Sequence, residues 1–359
     1  MEEELVPIRI AASRRPRAAA RALAVACLAA ALGCGRQPRR EASVSAAPSG
    51  ALAPVATGRP SATPALAEAP PRAAPETLLT LGSSAYGARL ALDEEAAYLF
   101  VSDGVHRLVP GRAPQRMPLD LGLGPALTRT SIVFWSNGAI LAAPKRGGPA
   151  RRLGEVPHQP QYLVTSGDRF AWLDRAEDGR FTIQTLDERR ARVVYAPAGS
   201  VATLAMLHDW VFFVEQVAPS SWRLGGVPLG GGEATFTAAK TGRTPAALAT
   251  ASDLYFYDGP TLTVRRLSPD FQEETILARD FICSPIAVSD RILCAQVGGL
   301  FELHGEGSTP VALVERMRGS VTSIAADSTQ VVWVTDAGRE RLAVERLPLA
   351  PLRPAAAPP

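Results

Sequence analysis

The stretch "SIVFWSNG" (Ser131–Gly138) decides the fold of this chain, because runs of the same character recur along it. Each copy is a short apolar run, usually with an aromatic residue, and most end in a turn that contains Asp, Asn or Gly. Apolar runs of this length bounded by turn residues are typical of buried β-strands. The copies are "AAYLFVSDG", "SIVFWSNG", "RFAWLDR", "WVFFVEQ", "LYFYDG", "RILCAQVGG" and "QVVWVTDAG".

One equivalent position in each copy gives the period of the repeat. These positions are Phe100, Trp135, Trp172, Phe213, Tyr257, Cys294 and Trp333, separated by 35, 37, 41, 44, 37 and 39 residues. A period of about 39 residues accommodates four short strands, which is the content of one β-propeller blade. We therefore predict an all-β chain that forms a β-propeller of seven four-stranded blades, with six or eight blades as the alternatives.

The segments around each copy supply the remaining strands of its blade. The first strands, such as "ARLALD" and "VATLAML", are rich in Ala, Thr and Ser, which suits the crowded centre of a propeller. Six fourth strands follow: "QRMPLDL", "ARRLGEV", "ARVVYAP", "ATFTAAK", "ETILARDF" and "PVALVERM". The seventh blade lacks one, because the chain continues after "LAVERLPLAP" into a Pro/Ala tail.

The stretch "TLLTLG" (Thr77–Gly82) alternates apolar and polar residues like a strand, but no partner strand precedes it. We predict that it is the fourth strand of the seventh blade, supplied from the other end of the chain. Closing the ring in this way removes the two exposed edges that an open array would leave. The alternative is an edge strand of an eighth, degenerate blade. The closure predicts contact between Leu79 and the strand around Val344.

The N-terminal region has the parts of a secretory signal. A basic segment at 14–21 precedes the apolar run Ala22–Leu32, which is shorter than the roughly 20 residues that a membrane-spanning helix needs. The junction "ALGC" ends at Cys34 and resembles a bacterial lipobox, in which the Cys becomes the lipidated first residue of the mature protein. Cys27 is a rival position, and a plain signal peptide with an incidental Cys is the other alternative.

The composition divides the rest of the chain. Residues Arg36–Glu76 include 12 Ala, 8 Pro and no aromatic residue, so they bury too little apolar surface to offset the entropy of ordering. We predict a signal peptide over 1–33, a disordered tether over 34–76, a β-propeller over 77–351 and a disordered tail over 352–359. A lipid anchor, a tether and a folded domain together predict a protein of the bacterial cell envelope, periplasmic or on the outer-membrane surface.

The repeats resemble those of secreted bacterial propeller lipoproteins that are mostly uncharacterised. "FWSN" (134–137) and "AWLD" (171–174) are also similar to degenerate copies of the YWTD-type repeat. YWTD propellers have six blades, one fewer than the count made above. The resemblance covers roughly residues 77–351 and concerns the fold, and it implies no catalytic residue.

The charge distribution excludes one class of partner. The formal net charge is +3, but five Arg and three Glu lie within residues 1–33, and 33 basic and 32 acidic residues remain beyond them. No basic stripe interleaved with aromatic residues is present, so we expect no nucleic-acid partner. We also expect a monomer.

Cys and His patterns give few signals of a reactive or metal site. Cys283 and Cys294 flank the hairpin "CSPIAVSDRILC", and a disulfide or two buried free thiols are both open. Pairing about a turn at Val288-Ser289 would set the two Cys opposite each other, whereas a one-residue shift of register would not. The four His fall in different repeats without metal-ligand spacing, and no nucleotide-binding or nucleophile motif occurs. We expect no metal, no cofactor and no catalytic residue identifiable from a motif.

The candidate ligand site is predicted from equivalent positions in the seven repeats rather than from a motif. The turn after each second strand carries a short polar residue, and in a propeller these turns emerge on one face around the channel. Such a ring would suit a cation, or a cationic or hydroxyl-rich ligand, although tight turns favour the same residues. The seven residues are Asp103, Asn137, Asp174, Glu215, Asp258, Gln296 and Asp336.

These features favour a lipid-anchored, non-enzymatic binding module for protein, peptide or glycan. The alternatives are a propeller lyase or hydrolase that acts on an extracellular polymer, and an accessory subunit of an envelope assembly.

Overall fold

The computed structural model describes residues 74–350 except 83–86, 120–124, 177, 246, 289–290, 297–298, 308, 318 and 339–340. Every helix or strand among them is a β-strand. Cys34, its rival Cys27, the predicted signal and tail, and the tether up to residue 73 lie outside the described residues. None of the described residues forms a helix of the length and apolarity that crossing a bilayer requires.

The described strands form antiparallel blades, most of which contain four strands that follow one another in sequence. A single parallel pair, Arg190 with Glu155, links the outer strands of blades 2 and 3 into one eight-stranded sheet. The first strand of the described chain, β1 (Glu76–Leu81), belongs to the last blade and is given with it below. Blade 1 contains β2 (Arg89–Leu92), β3 (Ala97–Val101), β4 (Gly104–Leu108) and β5 (Gln115–Met117). Blade 2 contains β6 (Ala126–Leu127), β7 (Ser131–Ser136), β8 (Ala139–Pro144) and β9 (Arg151–Glu155). Blade 3 contains β10 (Tyr162–Ser166), β11 (Arg169–Arg175), β12 (Phe181–Asp187) and β13 (Arg190–Tyr195).

Blade 4 contains β14 (Ser200–Leu207), β15 (Trp210–Ala218), β16 (Ser221–Pro228), β17 (Thr235–Phe236) and β18 (Lys240–Thr241). Blade 5 contains β19 (Leu248–Thr250), β20 (Leu254–Asp258), β21 (Thr263–Leu267) and β22 (Glu274–Arg279). Blade 6 contains β23 (Ser284–Val288), β24 (Arg291–Gln296), β25 (Gly299–Leu303) and β26 (Val311–Val314).

Blade 7 combines both ends of the described chain. Its strands are β27 (Ser320–Ala326), β28 (Gln330–Gly338), β29 (Arg341–Pro348) and β1 (Glu76–Leu81). β1 pairs antiparallel with β29, and Leu79 stands opposite Val344. The predicted closure of the last blade by the N-terminal strand is confirmed. β1 begins at Glu76, one residue before the quoted stretch.

The core is divided among the junctions between neighbouring blades. Seven clusters of buried residues are present among the described residues, and each draws on two adjacent blades. The first strands of adjacent blades are neighbours at every junction of the ring, including the junction between blades 7 and 1, where β27 contacts β2. The second strands are the most buried because both of their faces pack against another blade, which explains their continuous apolar runs. The structure is thus the predicted all-β propeller.

Side-chain hydroxyls link the first strands of neighbouring blades. Oγ1 of Thr165 donates to the Leu127 carbonyl at 2.6 Å, and Oγ1 of Thr250 donates to the Met206 carbonyl at 3.0 Å. The Leu90 N–H in blade 1 donates to Oγ of Ser323 in blade 7 at 2.8 Å. The small polar residues of the first strands therefore fit the crowded centre and also bond one blade to the next.

One strand assignment differs from the sequence prediction. "ATFTAAK" is not one strand but the separate pieces β17 and β18, both paired with β16. The break follows Thr237, whose hydroxyl accepts the Leu224 N–H at 3.1 Å, so that a side chain takes the place of a ladder partner. Of the two registers that the sequence left open for the hairpin of blade 6, the structure has the shifted one, in which Cys294 stands opposite Pro285 rather than Cys283. Its turn is one residue further along, since Val288 pairs with Arg291.

Candidate functional site

The two faces of the ring carry different connections. Because successive strands run antiparallel, the turns between second and third strands share one face with the connections from each fourth strand to the next blade. We call this the upper face and the opposite one the lower face. Leu81 pairs with Leu342, next to the turn between β28 and β29 on the upper face, whereas Glu76 pairs with Arg346 toward the other end of β29. The chain therefore enters blade 7 at the lower face.

The seven candidate residues all belong to the ends of second strands or the turns that follow. Asp103 and Asn137 lie in the turns, whereas the other five lie within the second strands themselves, because these strands extend further than the sequence suggested. The Asp103 carboxylate lies 3.3 Å from Nε of Arg116 and 3.3 Å from Nε2 of His106. Asn137 has a φ of 49°, a left-handed conformation that Asn tolerates and that is common in tight turns. Asp336 is exposed.

Three of the candidate carboxylates are buried and bonded within their own blades. Glu215 is fully buried, and its Oε1 accepts the N–H groups of Ala198 and Gly199 at 2.7 and 3.0 Å. Its Oε2 accepts the Nε–H of Arg223 at 2.9 Å and lies 2.7 Å from Nη2 of the same guanidinium. This carboxylate therefore fastens the connection from blade 3 to blade 4 onto the end of β15.

Asp258 and Asp174 occupy the corresponding places in blades 5 and 3. Oδ2 of Asp258 accepts Oγ1 of Thr261 at 2.9 Å and lies 3.1 Å from Nε of Arg265. Oδ2 of Asp174 accepts Nε2 of Gln184 at 3.0 Å and lies 3.6 Å from Nδ1 of His158. These carboxylates hold turns and connections in place. The ring of seven as a ligand site stays a prediction.

A cavity of about 960 Å³ opens on the upper face across blades 5, 6 and 7, and we call it the upper cavity. Its walls come from three connections between blades, one hairpin turn and parts of the strands beside them. The lining ranges are 243–245, 257, 259–260, 262, 282–284, 295–296 and 319–324. Gln296 is the member of the predicted ring that lines it.

The lining of the upper cavity is apolar and hydroxyl-bearing, with one charge. Arg243 is the single charged side chain among the described lining residues, and it is exposed. Burial and the neighbouring Asp258 carboxylate raise the pKa of Tyr257, while the Arg243 guanidinium acts in the opposite sense. Leu262 and Ile282 remain 39% and 62% exposed at its rim. Such a surface offers apolar contact together with one site for an anion.

Cys283 lies in the wall of the upper cavity and is joined to Cys294 by a disulfide. Their Cα atoms are 5.3 Å apart, although the two residues do not stand opposite each other in the ladder. The bond connects the segment that carries Ile282 to the buried second strand of blade 6. It holds one side of the cavity in place.

The other cavities offer less to a ligand. One of about 590 Å³ lies between the outer strands of blades 4 and 5, where Nζ of Lys240 lies 2.6 Å from Oε1 of Glu274. Burial opposes ionisation of Glu274, but hydrogen bonds from Lys240 and Arg265 outweigh it and lower its pKa. Its charges are thus already paired. A cavity of about 410 Å³ at the lower end of the first strands is lined mainly by Leu, Ala and Val side chains.

The sequence did not single out Arg243, Leu262 or Ile282. The signal for the last two was present, because "GPTLT" and "DFICSP" place large apolar residues in connections where solvent-exposed segments are usually polar. No pattern in the sequence brings these three residues together, since they belong to different connections. Among the described residues, no group of three or more His, Cys, Asp or Glu is arranged to hold a metal ion.

Comparisons with known proteins concern the fold. No family model matches the chain, and no curated protein matches it. The chain is similar to the structure of puromycin hydrolase at 12% identity and a TM-score of 0.58, covering 74% of this chain and 54% of that one. It is also similar to YCF48 from Cyanidioschyzon merolae, at 11% identity and a TM-score of 0.54, covering 76% and 98% of the two chains. U3-55K matches at 13% identity and a TM-score of 0.53, over 77% and 98%. At these identities the likeness establishes a β-propeller fold.

Proposed function

We propose that this chain is a lipid-anchored binding module of the bacterial cell envelope that holds a protein, peptide or glycan on its upper face, without catalysis. The observation that carries the proposal is the upper cavity, where apolar rim residues, hydroxyls, an amide and one guanidinium converge from three blades. These groups suit the holding of a ligand, since binding sites combine apolar surface with a few placed polar groups.

The position of β1 supports this arrangement. The chain enters the propeller at Glu76 on the lower face, and the upper cavity opens on the opposite face. A tether that runs from a lipidated Cys34 to Glu76 would therefore attach on the side away from the cavity. A Pro-rich chain extends by up to about 3.1 Å per residue, so the tether is long enough to hold the domain clear of a membrane.

The binding role is tested by photo-crosslinking in living cells. The photoreactive residue p-benzoylphenylalanine replaces Ile282 at the rim of the cavity, and in a matched variant it replaces Val193, which is 53% exposed on β13 of blade 3. We expect a discrete crosslinked partner from position 282 and none from position 193. Equal crosslinking at both positions, or at neither, would contradict binding at the upper cavity.

The anchor is tested separately by incorporation of labelled palmitate. Wild-type chain should incorporate the label and fractionate with membranes, and the Cys34→Ala variant should do neither. The Cys27→Ala variant is the matched control and should behave like wild type. Label that is lost in Cys27→Ala and retained in Cys34→Ala would move the anchor to the rival position. No label in wild type would remove the anchor from the proposal.

A further inference from the structure

We infer that the ligand of the upper cavity is an extended acidic peptide that places an apolar side chain between Leu262 and Ile282 and a carboxylate on Arg243. This inference rests on the binding role proposed above and specifies the chemistry of the partner. It follows from the charge, the apolar rim and the size of the cavity.

The charge of the cavity favours an anionic group. No described carboxylate lies within ion-pair distance of Arg243, whereas Arg223 pairs with Glu215 and Arg265 pairs with Asp258 and Glu274. The nearby Asp258 is thus neutralised by its own arginine. A guanidinium offers a planar pair of donors that matches a carboxylate, and Arg243 presents this group to solvent at the cavity.

The rim favours an apolar side chain beside that carboxylate. Leu262 and Ile282 are two of the five large hydrophobic residues that are exposed among the described residues, and both line this cavity. Leu262 has a φ of 50°, which a leucine rarely adopts. Its conformation is held because its carbonyl accepts the Phe281 N–H at 3.2 Å. Backbone held in a disfavoured region and presenting an apolar side chain to solvent is typical of a ligand site.

The remaining features distinguish a peptide from other anions. A volume of about 960 Å³ exceeds what a lone ion needs and lies at the upper end of the range for ligand pockets, about 300–1,000 Å³. Gln296 and the hydroxyls of Ser320 and Ser284 can bond peptide groups along the wall. Recognition of an anionic lipid surface relies on a cluster of several basic residues, whereas this lining carries one.

The test measures fluorescence anisotropy of two labelled hexapeptides with the full-length chain in detergent. One peptide alternates Leu and Glu, and the other alternates Leu and Lys. We expect the Leu/Glu peptide to bind at least tenfold more tightly than the Leu/Lys peptide. Arg243→Ala and Ile282→Ser should each weaken its binding at least fivefold, and both residues are exposed, so both variants should keep the wild-type melting temperature. The matched control Arg112→Ala removes an exposed arginine of the lower face and should bind like wild type.

Other outcomes overturn the inference. Equal affinity for the two peptides, or unchanged binding by Arg243→Ala, would exclude an acidic peptide at this site. Vesicles of phosphatidylglycerol that bind wild type but not Arg243→Ala, with no peptide bound, would make an anionic lipid the occupant. If peptide binding fails while crosslinking from position 282 persists, the binding role stands and the identity of the ligand as an acidic peptide is wrong.

Discussion

Leu79 stands directly opposite Val344 in blade 7, although 265 residues of sequence separate them. Val344 is fully buried, and Leu78, Leu79 and Leu81 pack against the cluster of buried residues between blades 7 and 1. The first strand of the domain thus completes its last blade. The arrangement couples the two ends of the described chain, so that opening the ring at this point exposes a core junction.

Removal of β1 should destabilise the whole propeller. A chain that begins at Gly82 loses three partly buried leucines, which together stabilise by about 3 kcal/mol or more. We expect a single unfolding transition shifted to a lower temperature by calorimetry, compared with a control chain that begins at Ala74. An unchanged transition in the shorter chain would mean that β1 is a dispensable edge strand.

Glu215 should be a structural residue. Replacing it with Ala leaves the N–H groups of Ala198 and Gly199 and the guanidinium of Arg223 without their partner. We expect the free energy of unfolding to fall by about 3 kcal/mol in urea denaturation. The control Glu233→Ala changes an exposed glutamate of the same blade and should fall within about 0.5 kcal/mol of wild type. Similar small effects of both variants would contradict a structural role.

The pairing of Asp93 with Lys145 predicts a pH-dependent contribution to stability. Burial opposes ionisation of Asp93, but the bond from Nζ of Lys145 at 2.6 Å and the N–H groups of Glu95 and Ala96 outweigh it and lower its pKa below 3.8. A carboxyl whose pKa is lowered by folding stabilises the protein above its unfolded pKa and loses that effect as the pH falls through its folded pKa.

Asp93→Asn should therefore lower the free energy of unfolding by about 1–2 kcal/mol at pH 7. The difference from wild type should shrink as the pH falls below 3.8, the ordinary value for Asp. The neighbouring exposed residue supplies the control Glu94→Gln, which should have little effect at any pH. A difference that stays constant down to pH 2 would show that ionisation of Asp93 does not contribute.

The disulfide should protect Cys283 and Cys294 from alkylation. Under denaturing conditions without reductant, alkylation should not modify Cys283 or Cys294, and reductant should make both reactive. Replacing both with Ser should lower the free energy of unfolding by about 2–3 kcal/mol, because a closed loop restricts the unfolded chain. Alkylation of both thiols before reduction would instead establish two buried free cysteines.

The sequence was sufficient for the fold because the fold repeats. Buried second strands such as Val211–Val214 recur at a nearly constant spacing. Seven repeats with six fourth strands predicted that β1 supplies the seventh. The upper cavity could not be found in the same way, because Arg243 and Ile282 lie in connections between blades and Leu262 lies in a hairpin turn, and these segments do not repeat in sequence. The sequence also left two registers open for the blade 6 hairpin. The structure has the register in which Val288 pairs with Arg291, and no local residue pattern distinguishes it from the other.

The most direct test of the closed ring is a disulfide between Leu79→Cys and Val344→Cys. Directly opposed residues of antiparallel strands have Cα atoms about 4.5–5.5 Å apart, within the range that a disulfide spans. The control pairs Leu79→Cys with Val334→Cys, which lies in the same row but on β28, one strand further away and about 10 Å from β1. Peptide mapping by mass spectrometry without reductant should find the 79–344 crosslink in nearly all molecules and no 79–334 crosslink. Absence of the 79–344 bond in a folded protein would contradict the closure of blade 7 by the N-terminal strand.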